Sequence, residues 1–475
     1  MASPTISELL ALVAQLQQEM AELRADNERL RVRVVELEAQ LKSTSRNSAQ
    51  PPSSDGLGKP APKSLRKKTG RRPGGRPGHP GGTLRQVERP DEVIVHEPNG
   101  AGVGCGADAS AGRRVRTERR QVFDLPPGQV TVTEHQLVTR RCGCGATATG
   151  TAPGSAPERV TAPVQYGPRV AALIVYLYVG QFLSTARTAQ ALAELFALPV
   201  SPGTVAAVTA RAGADLDGFL AAARERITAA PVVHVDETGL RVEDRLHWLH
   251  SASTGRFSVL PVHRRRGRAA MLAGGVLDRF TGVAVHDAWA PDDTFTEATH
   301  VLCGAHLLRE LQAVIDTPDS SDRTGWSWAQ QVTDSLLRIK EHAGTAHAAG
   351  RQPHPAVLAE HTRRIRDAAT IAAATTTPGT LAAKRRALAR RIRDRLPPYL
   401  AFASHPDIPF DNNAAEREIR MVKIRQKISG CRRTLTGAQQ FAAIRSYTAT
   451  TRKHNINLYD ALSQLANGTP WLPAT

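Results

Sequence analysis

Residues 232–238 read VVHVDET and residues 282–289 read GVAVHDAW, and in both stretches a short β-branched run leads directly into an aspartate. β-Branched residues favour strands, so the two runs predict strands of one parallel or mixed sheet. Asp236 and Asp287 then fall where each strand ends. The carboxyl ends of parallel strands share one edge of a sheet, which is where α/β proteins place their sites. We expect both carboxylates at that edge, exposed enough to bind a cation.

A third acid lies far downstream in a helix-forming stretch, where residues 410–420 read FDNNAAEREIR and contain Glu416. Magnesium prefers oxygen ligands. Two such ions about 4 Å apart can activate a water or a 3′-hydroxyl and stabilise the leaving oxygen. Asp236, Asp287 and Glu416 can supply the shared ligand and the two flanking ones. The pattern predicts a nuclease or strand-transferase that uses two Mg²⁺ (or Mn²⁺) ions.

Each acid also has an ordinary structural interpretation. Asp236 could cap a turn, Asp287 could cap the following helix, and Glu416 could pair with a neighbouring arginine. Glu418 is a rival third ligand, but it lies about 200° further around the helix, so only one of the two glutamates can face a site. Asp411 is another candidate, although Asp-Asn before a helix is more typical of an N-cap.

The residues around the first two acids predict a mixed α/β core. This core covers residues 229–306 and, after a largely helical Ala- and Arg-rich insertion at 307–400, residues 401–475, which end in a helical segment. Its further predicted strands and helix are RLHWLHSA (245–252), FSVLPVH (257–263) and the helix AAMLAGGVLDRF (269–280).

The 475-residue chain carries a formal net charge of +18. Such an excess favours a polyanionic partner, most often nucleic acid. Five cysteines are too few for a disulfide framework, so a reducing cytoplasm is the expected location. No charged-then-apolar leader opens the chain. The longest apolar-rich run, Val170–Leu183, is too short to span a membrane.

Residues 1–42 predict a coiled coil, because an unbroken heptad pattern covers residues 5–42. Asn27 is the single polar residue at position a, a device that fixes register in two-stranded coils. Opposite charges at positions g and e favour a parallel homodimer. The alternative is an amphipathic helix that packs against its own domain. The apolar positions are Ile6, Val13, Met20, Val34 and Leu41 at a, and Leu9, Leu16, Leu23, Leu30 and Leu37 at d.

Residues 43–90 predict a disordered basic linker, because Pro, Gly and Ser are too dense for a packed core. From Arg46 to Pro90 there are eleven Lys and Arg residues against two acids. The segment could lie along DNA phosphates as a flexible arm. The alternative is a solvated linker whose charge only aids solubility.

Residues 91–160 predict a small β-rich module that resembles a degenerate zinc ribbon. A structural zinc site needs four ligands. Gly102 stands where a complete knuckle would have a cysteine, and the two later cysteines are one residue closer than in a standard knuckle, so zinc binding stays open. The candidate ligands are Cys105, Cys142 and Cys144, with His96 as a fourth.

Residues 161–228 predict a helical domain. One helix should end near Phe182 and a second should cover roughly Thr185–Phe196, while Ser201 caps a third that Pro202 begins. This succession is compatible with a helix-turn-helix DNA reader, and an ordinary helical bundle is the alternative.

Cys303 and His306 follow the second aspartate and could bind zinc at a turn, but two ligands do not make a site. The alternative is a buried cysteine and a histidine with satisfied hydrogen bonds.

Basic side chains in the linker and in two stretches near the acids are expected to contact phosphates, which positions DNA without reading its sequence. They are Arg66, Lys67, Lys68, Arg71 and Arg72 in the linker, Arg264, Arg265, Arg266 and Arg268 after the predicted strands, and Arg417, Arg420, Lys423, Arg425 and Lys427 after Glu416.

Several segments occur in an order that resembles the insertion-sequence-66 type of bacterial DDE transposase. They are NSAQPPSSDG (47–56), GRRPGGRPGHPGGTL (70–84), HVDET, HDAW, LCGAHLLREL (302–311), DNNAAEREIR and RQKISGCRRT (425–434). The resemblance covers nearly the whole chain, and the linker and DNNAAER segments are its most specific parts.

The resemblance implies a ribonuclease H-like core with Asp236, Asp287 and Glu416 as its acidic triad, and a helix-turn-helix region near residues 166–212. It also implies double-stranded DNA partners, namely terminal inverted repeats and target DNA, a nucleoid-associated location in bacteria, and small accessory proteins. The implied reaction is metal-dependent hydrolysis at the element ends, followed by strand transfer from the exposed 3′-hydroxyls. Gly102 departs from the family's two-knuckle pattern.

Two other functions stay open. One is a catalytically inactive, transposase-derived DNA-binding protein, and metal-dependent nicking of end-bearing DNA would separate it from an active enzyme. The other is a ribonuclease H-like junction nuclease, which would cut branched DNA without binding element ends.

Overall fold

The computed structural model describes residues 6–42, 86–96, 115–123, 130–151, 160, 162–317, 327–374 and 380–473. The chain is a mixed α/β protein that divides into two compact units. The larger unit comprises residues 1–63, 134–193 and 199–475, and the smaller comprises residues 64–133 and 194–198. Among the described helices, none combines the length and apolar character that a membrane crossing requires.

A mixed sheet in the larger unit carries the first two acids. Its strands are β3 (Val232–Val242), β4 (Arg245–Ser253), β5 (Ser258–Val259), β6 (Val262–His263), β7 (Val283–His286) and β8 (Thr299–Leu302). The strand order is β5-β4-β3-β7-β8, with β6 also paired to β4. The β3–β7 and β7–β8 pairs are parallel, whereas β4 runs antiparallel to β3, β5 and β6.

The expectation that Asp236 ends its strand is wrong, because β3 continues six residues beyond it to Val242. The parallel pairing with β7 stops at His234, but the antiparallel pairing with β4 runs on to the end of β3 and supplies partners for its backbone. The hairpin closes on Glu243 and Asp244, both with positive φ, as a tight two-residue turn requires. Asp287 meets the expectation, because it directly follows the last residue of β7.

The other predicted core segments form with shorter bounds. FSVLPVH splits into β5 and β6 around Pro261, which has no N–H to donate to a ladder. The predicted helix 269–280 is only α6 (Arg268–Gly274), which ends where Gly275 adopts φ +69°. A left-handed glycine is a common helix C-terminus.

Helices precede the sheet, as predicted. The helix Thr185–Phe196 has the predicted bounds. Ser201 accepts the N–H of Thr204 as the cap of a helix that begins with Pro202. The first helix continues into a short π-helix at Tyr176–Gly180. These helices are α2 (Pro168–Val175), α3 (Thr185–Phe196), α4 (Pro202–Ala214) and α5 (Asp217–Thr228).

In the described part of residues 304–404, five helices share one hydrophobic cluster with Leu302 of β8 through their apolar faces. Leu307 and Leu311 anchor the first helix in that cluster, and Tyr399 and Phe402 anchor the last. The expected insertion therefore packs directly against the sheet. The helices are α7 (Gly304–Asp316), α8 (Trp328–Ala348), α9 (Pro355–Ala374), α10 (Thr380–Asp394) and α11 (Leu396–Ser404).

Three helices follow α11 in the described part of the chain. The first, α12 (Asn413–Ser429), contacts β3 and β4. It is followed by α13 (Leu435–Lys453), which contacts β5 and β6, and by α14 (Leu458–Ala466), which packs on α2.

The described residues before position 160 hold one long helix and one small hairpin. The helix, α1 (Ile6–Lys42), covers the predicted coil. The hairpin pairs β1 (Thr139–Arg141) with β2 (Thr147–Thr149). In the described part of residues 91–160 these are the only strands, so the β-rich expectation holds there for the hairpin alone. In the smaller unit, side chains provide the pairing, since Gln86 donates to the Arg119 carbonyl and the Val87 N–H donates to Gln121.

Candidate active site

The two strand acids lie side by side. The last parallel pair of β3 and β7 is His234 with Val285, and Asp236 and Asp287 each follow two residues beyond this pair. Asp236 accepts the N–H of Glu237 at 2.8 Å. Burial first, and then the charges of Asp287, Glu237 and Glu416, raise the pKa of Asp236 well above its usual value. Crowded carboxylates repel each other, and a bound cation would relieve that repulsion.

Asp287 is held by a tight turn. Its Oδ1 accepts the N–H of Trp289 at 3.2 Å, and the intervening Ala288 has φ +71°. A left-handed conformation is rare for a residue other than glycine and is found mainly where the surrounding structure enforces it. The turn fixes the direction in which the Asp287 carboxylate leaves the sheet edge.

Glu416 approaches from the first turn of α12 and meets α7. Its Oε1 accepts a hydrogen bond from Arg309 at 2.5 Å and lies 3.7 Å from Nδ1 of His306. Burial first, and then Arg309, lower the pKa of His306, while Glu416 and Asp287 act in the opposite direction. Both α7 side chains are therefore part of the surroundings of the acids.

The rival acids point elsewhere, as the helix geometry predicted. Glu418 accepts from Ser258 Oγ at 3.3 Å and lies 3.8 Å from Nζ of Lys453. Asp411 accepts the N–H of Asn413 at 3.2 Å, which satisfies the first turn of α12. Asp411 thus acts locally at the helix N-terminus, although it is not the N-cap residue itself.

The three acids converge without forming a tight cluster. Among the described residues, they are not a set whose ligand atoms all lie within 4.8 Å of one another, whereas His286, Asp287 and Asp292 are such a set. Beside burial, the charges of Asp287 and Glu416 both raise the pKa of Asp236, so the three carboxylates lie in one region.

Asn412 is a site residue that the sequence did not reveal. It is fully buried, and its side chain contacts β3 on the strand that carries Asp236: Oδ1 lies 2.9 Å from His234 Nδ1, and Nδ2 donates to the Val235 carbonyl at 2.7 Å. Its N–H donates to Cys303 Sγ, and its carbonyl accepts the N–H of Glu416. One residue thus connects β3, α7 and α12.

Glu237 and Arg266 form a second unexpected pair beside Asp236. Arg266 donates to Glu237 from Nε and Nη2 at 2.9 and 2.5 Å. Its guanidinium carbon lies 4.8 and 4.1 Å from the ring centroids of Trp248 and Trp289. Burial, followed by the charge of Asp287, raises the pKa of Glu237 to about 7 despite this pairing.

Some of the side chains predicted to contact phosphates are hydrogen-bonded to protein groups, and others are exposed. Arg266 is held by Glu237, Lys423 donates to the Gly239 carbonyl at 2.5 Å, and Arg268 donates to Thr294. The prediction that Arg425 contacts phosphate at the surface is wrong. Arg425 is only 6% exposed, because Tyr178 covers its guanidinium. Exposed positions are Arg264, Arg265, Arg417, Arg420 and Lys427, and the linker residues 66–72 lie outside the described residues.

The candidate zinc ligands also separate. Cys142 and Cys144 are exposed in the β1–β2 hairpin, where hydrogen bonds from Cys144 lower the pKa of Cys142. Cys105 lies outside the described residues. Cys303 is buried, and burial raises the pKa of its thiol to about 12, which favours the protonated form over the metal-binding thiolate. In the described part of the chain, Cys303 and His306 belong to no three-ligand cluster.

Comparison with known families agrees with this geometry. A model described as the transposase IS66 family matches residues 163–440, more than half of the chain. A zinc-finger binding domain of transposase IS66 matches residues 104–145, which include three of the candidate cysteines, and a family of unknown function (DUF6444) matches residues 1–85. No curated protein matches the chain. The two transposase matches imply DNA binding, and the zinc-finger match is consistent with Zn²⁺ binding. The chain belongs to the transposase IS66 family.

Proposed function

We propose that this chain is an active DDE transposase, which cleaves DNA at insertion-sequence ends and transfers the strands with Asp236, Asp287 and Glu416 as its acidic triad. The strand order β5-β4-β3-β7-β8, with only β4 antiparallel to its neighbours in the main path, supports a ribonuclease H-like core. The observation that carries the proposal is the parallel pairing of β3 with β7, since Asp236 lies on β3 and Asp287 directly follows β7.

The acids fit a pair of Mg²⁺ or Mn²⁺ ions. Burial first, and then the charge of Asp287, raise the pKa of Asp236. Oxygen-only ligands suit these hard cations. Asp236 and Asp287 would hold the ions from the sheet edge, and Glu416 would hold them from α12. When bound, the ions activate a water or a 3′-hydroxyl and stabilise charge on the leaving oxygen.

The remaining residues orient this constellation. Asn412 holds the start of α12 against β3, which sets the distance from Glu416 to Asp236. The Ala288 turn fixes Asp287. Arg309 compensates the charge of Glu416. Exposed Arg417, Arg420 and Lys427 on the same helix would position the DNA backbone beside the acids.

The test is cleavage of a duplex that carries the element ends by Asp236→Asn, Asp287→Asn and Glu416→Gln proteins. We expect all three to lose cleavage and keep binding of the ends. Glu418→Gln is the matched control on α12, since this side chain points to Lys453. Normal cleavage by the three variants would disprove the triad, and binding without cleavage by the unmodified chain would favour an inactive DNA-binding protein.

The same proposal assigns the other segments by their predicted bounds. Residues 161–228 would read DNA through α3 and α4, residues 43–90 would follow phosphates, and residues 91–160 would hold zinc through Cys105, Cys142 and Cys144. Core residues 229–306 and 401–475 would flank the insertion 307–400.

Residues 1–42 would form a parallel dimer, because Leu16, Leu23 and Leu30, at heptad positions of α1, are exposed in the single chain. Deletion of residues 1–42 followed by mass measurement in solution tests this, and an unchanged oligomer would reject it. Small accessory proteins are further proposed partners of the assembled enzyme.

A further inference from the structure

His286, Asp293 and His300 form a second group of potential ligands beside the acids. His286 ends β7, Asp293 lies in the 3₁₀ turn Asp292–Thr294, and His300 lies in β8. One ligand atom of each lies within 4.8 Å of the others. Nε2 of His286 is 3.1 Å from Nδ1 of His300 and 4.0 Å from Oδ1 of Asp293. Two nitrogen ligands of a tetrahedral zinc ion are about 3.4 Å apart, which is close to the spacing of the two rings.

The hydrogen bonds of the two rings leave a conflict between them. His300 Nε2 lies 3.1 Å from the Phe295 carbonyl, which can only accept, so Nε2 carries the proton and Nδ1 has a lone pair. His286 is 1% exposed, and its Nδ1 lies 3.3 Å from Asp292 Oδ2 without hydrogen-bond geometry.

Neither tautomer of neutral His286 resolves this conflict. A proton on Nδ1 turns the Nε2 lone pair toward the lone pair of His300, 3.1 Å away. A proton on Nε2 instead turns the Nδ1 lone pair toward the carboxylate of Asp292. One ring nitrogen of His286 therefore faces another acceptor in either case, and either a further proton or a metal cation between the two rings removes the conflict.

The outer partners of both rings are those that metal-binding histidines use. Such histidines commonly direct their second nitrogen at a carboxylate or a backbone carbonyl, which fixes the tautomer and the ring orientation. Asp292 takes the carboxylate position for His286, and the Phe295 carbonyl takes the other position for His300.

We propose that His286, Asp293 and His300 bind one divalent transition-metal ion of the zinc class, separate from the cations of the three acids. Imidazole nitrogens with one carboxylate suit zinc, whereas magnesium prefers oxygen alone. Arg395 donates to both carboxylate oxygens of Asp293, at 2.9 and 2.6 Å. A carboxylate has about four acceptor sites, so Oδ1 can still face an ion.

The position of the ion explains what it would do. Its ligands come from the end of β7, from the connecting loop and from β8, so the ion would fasten residues 287–298 to two neighbouring strands. That loop begins with Asp287. The ion would therefore hold the Asp287 turn in place, and its presence does not depend on whether the acids catalyse a reaction.

The test is zinc binding by the full chain in a Cys142→Ser, Cys144→Ser background, which removes the hairpin thiols. The protein is stripped with a chelator, loaded with ZnCl₂ in the presence of excess Mg²⁺, desalted and analysed for metal content. We expect one zinc ion per chain. With Co²⁺ in its place, we expect visible ligand-field bands without the near-ultraviolet absorption of thiolate coordination.

Matched variants then locate the ion. His300→Gln and Asp293→Asn should lower the zinc affinity about tenfold or more, and His405→Gln, at an exposed histidine, should leave it unchanged. The Co²⁺ spectrum needs no ligand variant, so it stays decisive if these proteins fold poorly. The proposal is overturned if the background binds no zinc, in which case a proton joins the two rings. It is also overturned if Asp236→Asn abolishes binding while His300→Gln does not.

Discussion

Asp236 and Glu416 are proposed for the same task, yet their surroundings are opposite. Asp236 receives one backbone N–H and otherwise faces burial and like charges, which raise its pKa. Glu416 is paired with Arg309 at 2.5 Å and lies next to His306. The helical side of the site is neutralised by the protein itself, whereas the sheet side is not. We therefore expect a cation to bind more strongly at the sheet side, where burial and neighbouring carboxylates raise the pKa of Asp236.

The largest effect on stability should come from removing the Arg309–Glu416 ion pair on the helical side of the site. Arg309→Met leaves Glu416, whose side chain is 16% exposed, without its partner. Removing one member of a buried pair destabilises by about 3–5 kcal/mol. Urea unfolding without divalent ions measures this. The control is Arg338→Met, which breaks a pair with Glu341 whose side chains are 70% exposed, and should cost less than about 1 kcal/mol. Equal losses in the two variants would mean that the Arg309 pair is no stronger than a surface pair.

On the sheet side, His250 gives a pH dependence. It lies opposite Glu237 in the β3–β4 pairing, and burial lowers its pKa to about 4. The unfolded chain binds the proton first as the pH falls. The stability contribution of neutral His250 is therefore complete above pH ~6.5 and lost as the pH falls toward 4, by up to about 3 kcal/mol.

His250→Gln should flatten this part of the stability curve, measured by urea unfolding between pH 7 and pH 4. His405→Gln, at an exposed position, is the control and should leave the slope unchanged. A slope that persists in the His250 variant would assign the acid sensitivity to other groups.

The approach of α7 to α12 can be tested with two glycines. A Cβ at Gly304, the first residue of α7, would lie 2.5 Å from the Phe410 ring, just before α12. Gly304→Ala should cost about 1–3 kcal/mol and weaken any cleavage, because α7 carries the partners of Glu416. Gly344→Ala in α8 meets nothing within 4 Å and should stabilise by about 0.5–1 kcal/mol. Thermal unfolding of both variants decides, and a neutral Gly304→Ala would show that α7 can shift freely.

Local patterns predicted much of the fold because local physics governs it. β-Branched runs marked β3 and β7, and Ser201 with Pro202 marked the start of α4. Helix periodicity correctly separated Glu416 from Glu418. Asp236 was misplaced at a strand end because the continuation of β3 depends on β4, a partner chosen by tertiary pairing.

The residues that support the site were not predictable for the same reason. Asn412 looks like an ordinary helix-start residue in the sequence, and its contacts are with His234 and Val235, far away in the chain. Arg266 was assigned to phosphate because a run of arginines does not show that Glu237 will hold one of them. His286 and His300 gave a weak signal at most, two histidines at the ends of apolar runs, which only the parallel β7–β8 pairing brings together.

The smallest effect on stability should come from removing the buried carboxylate of Asp236 on the sheet side of the site. Asp236→Asn removes a carboxylate whose pKa is raised in the folded chain, so ionised Asp236 opposes folding increasingly as the pH rises above its unfolded value. Without divalent ions at pH 8, the variant should therefore be more stable than the unmodified chain, and the difference should vanish below pH ~4. Mn²⁺ should stabilise the unmodified chain and not the variant, since binding to the folded state alone raises stability. A variant that is less stable without metal ions, or that Mn²⁺ still stabilises fully, would mean that Asp236 is compensated by the protein as Glu416 is, and the contrast between the two sides of the site would be lost.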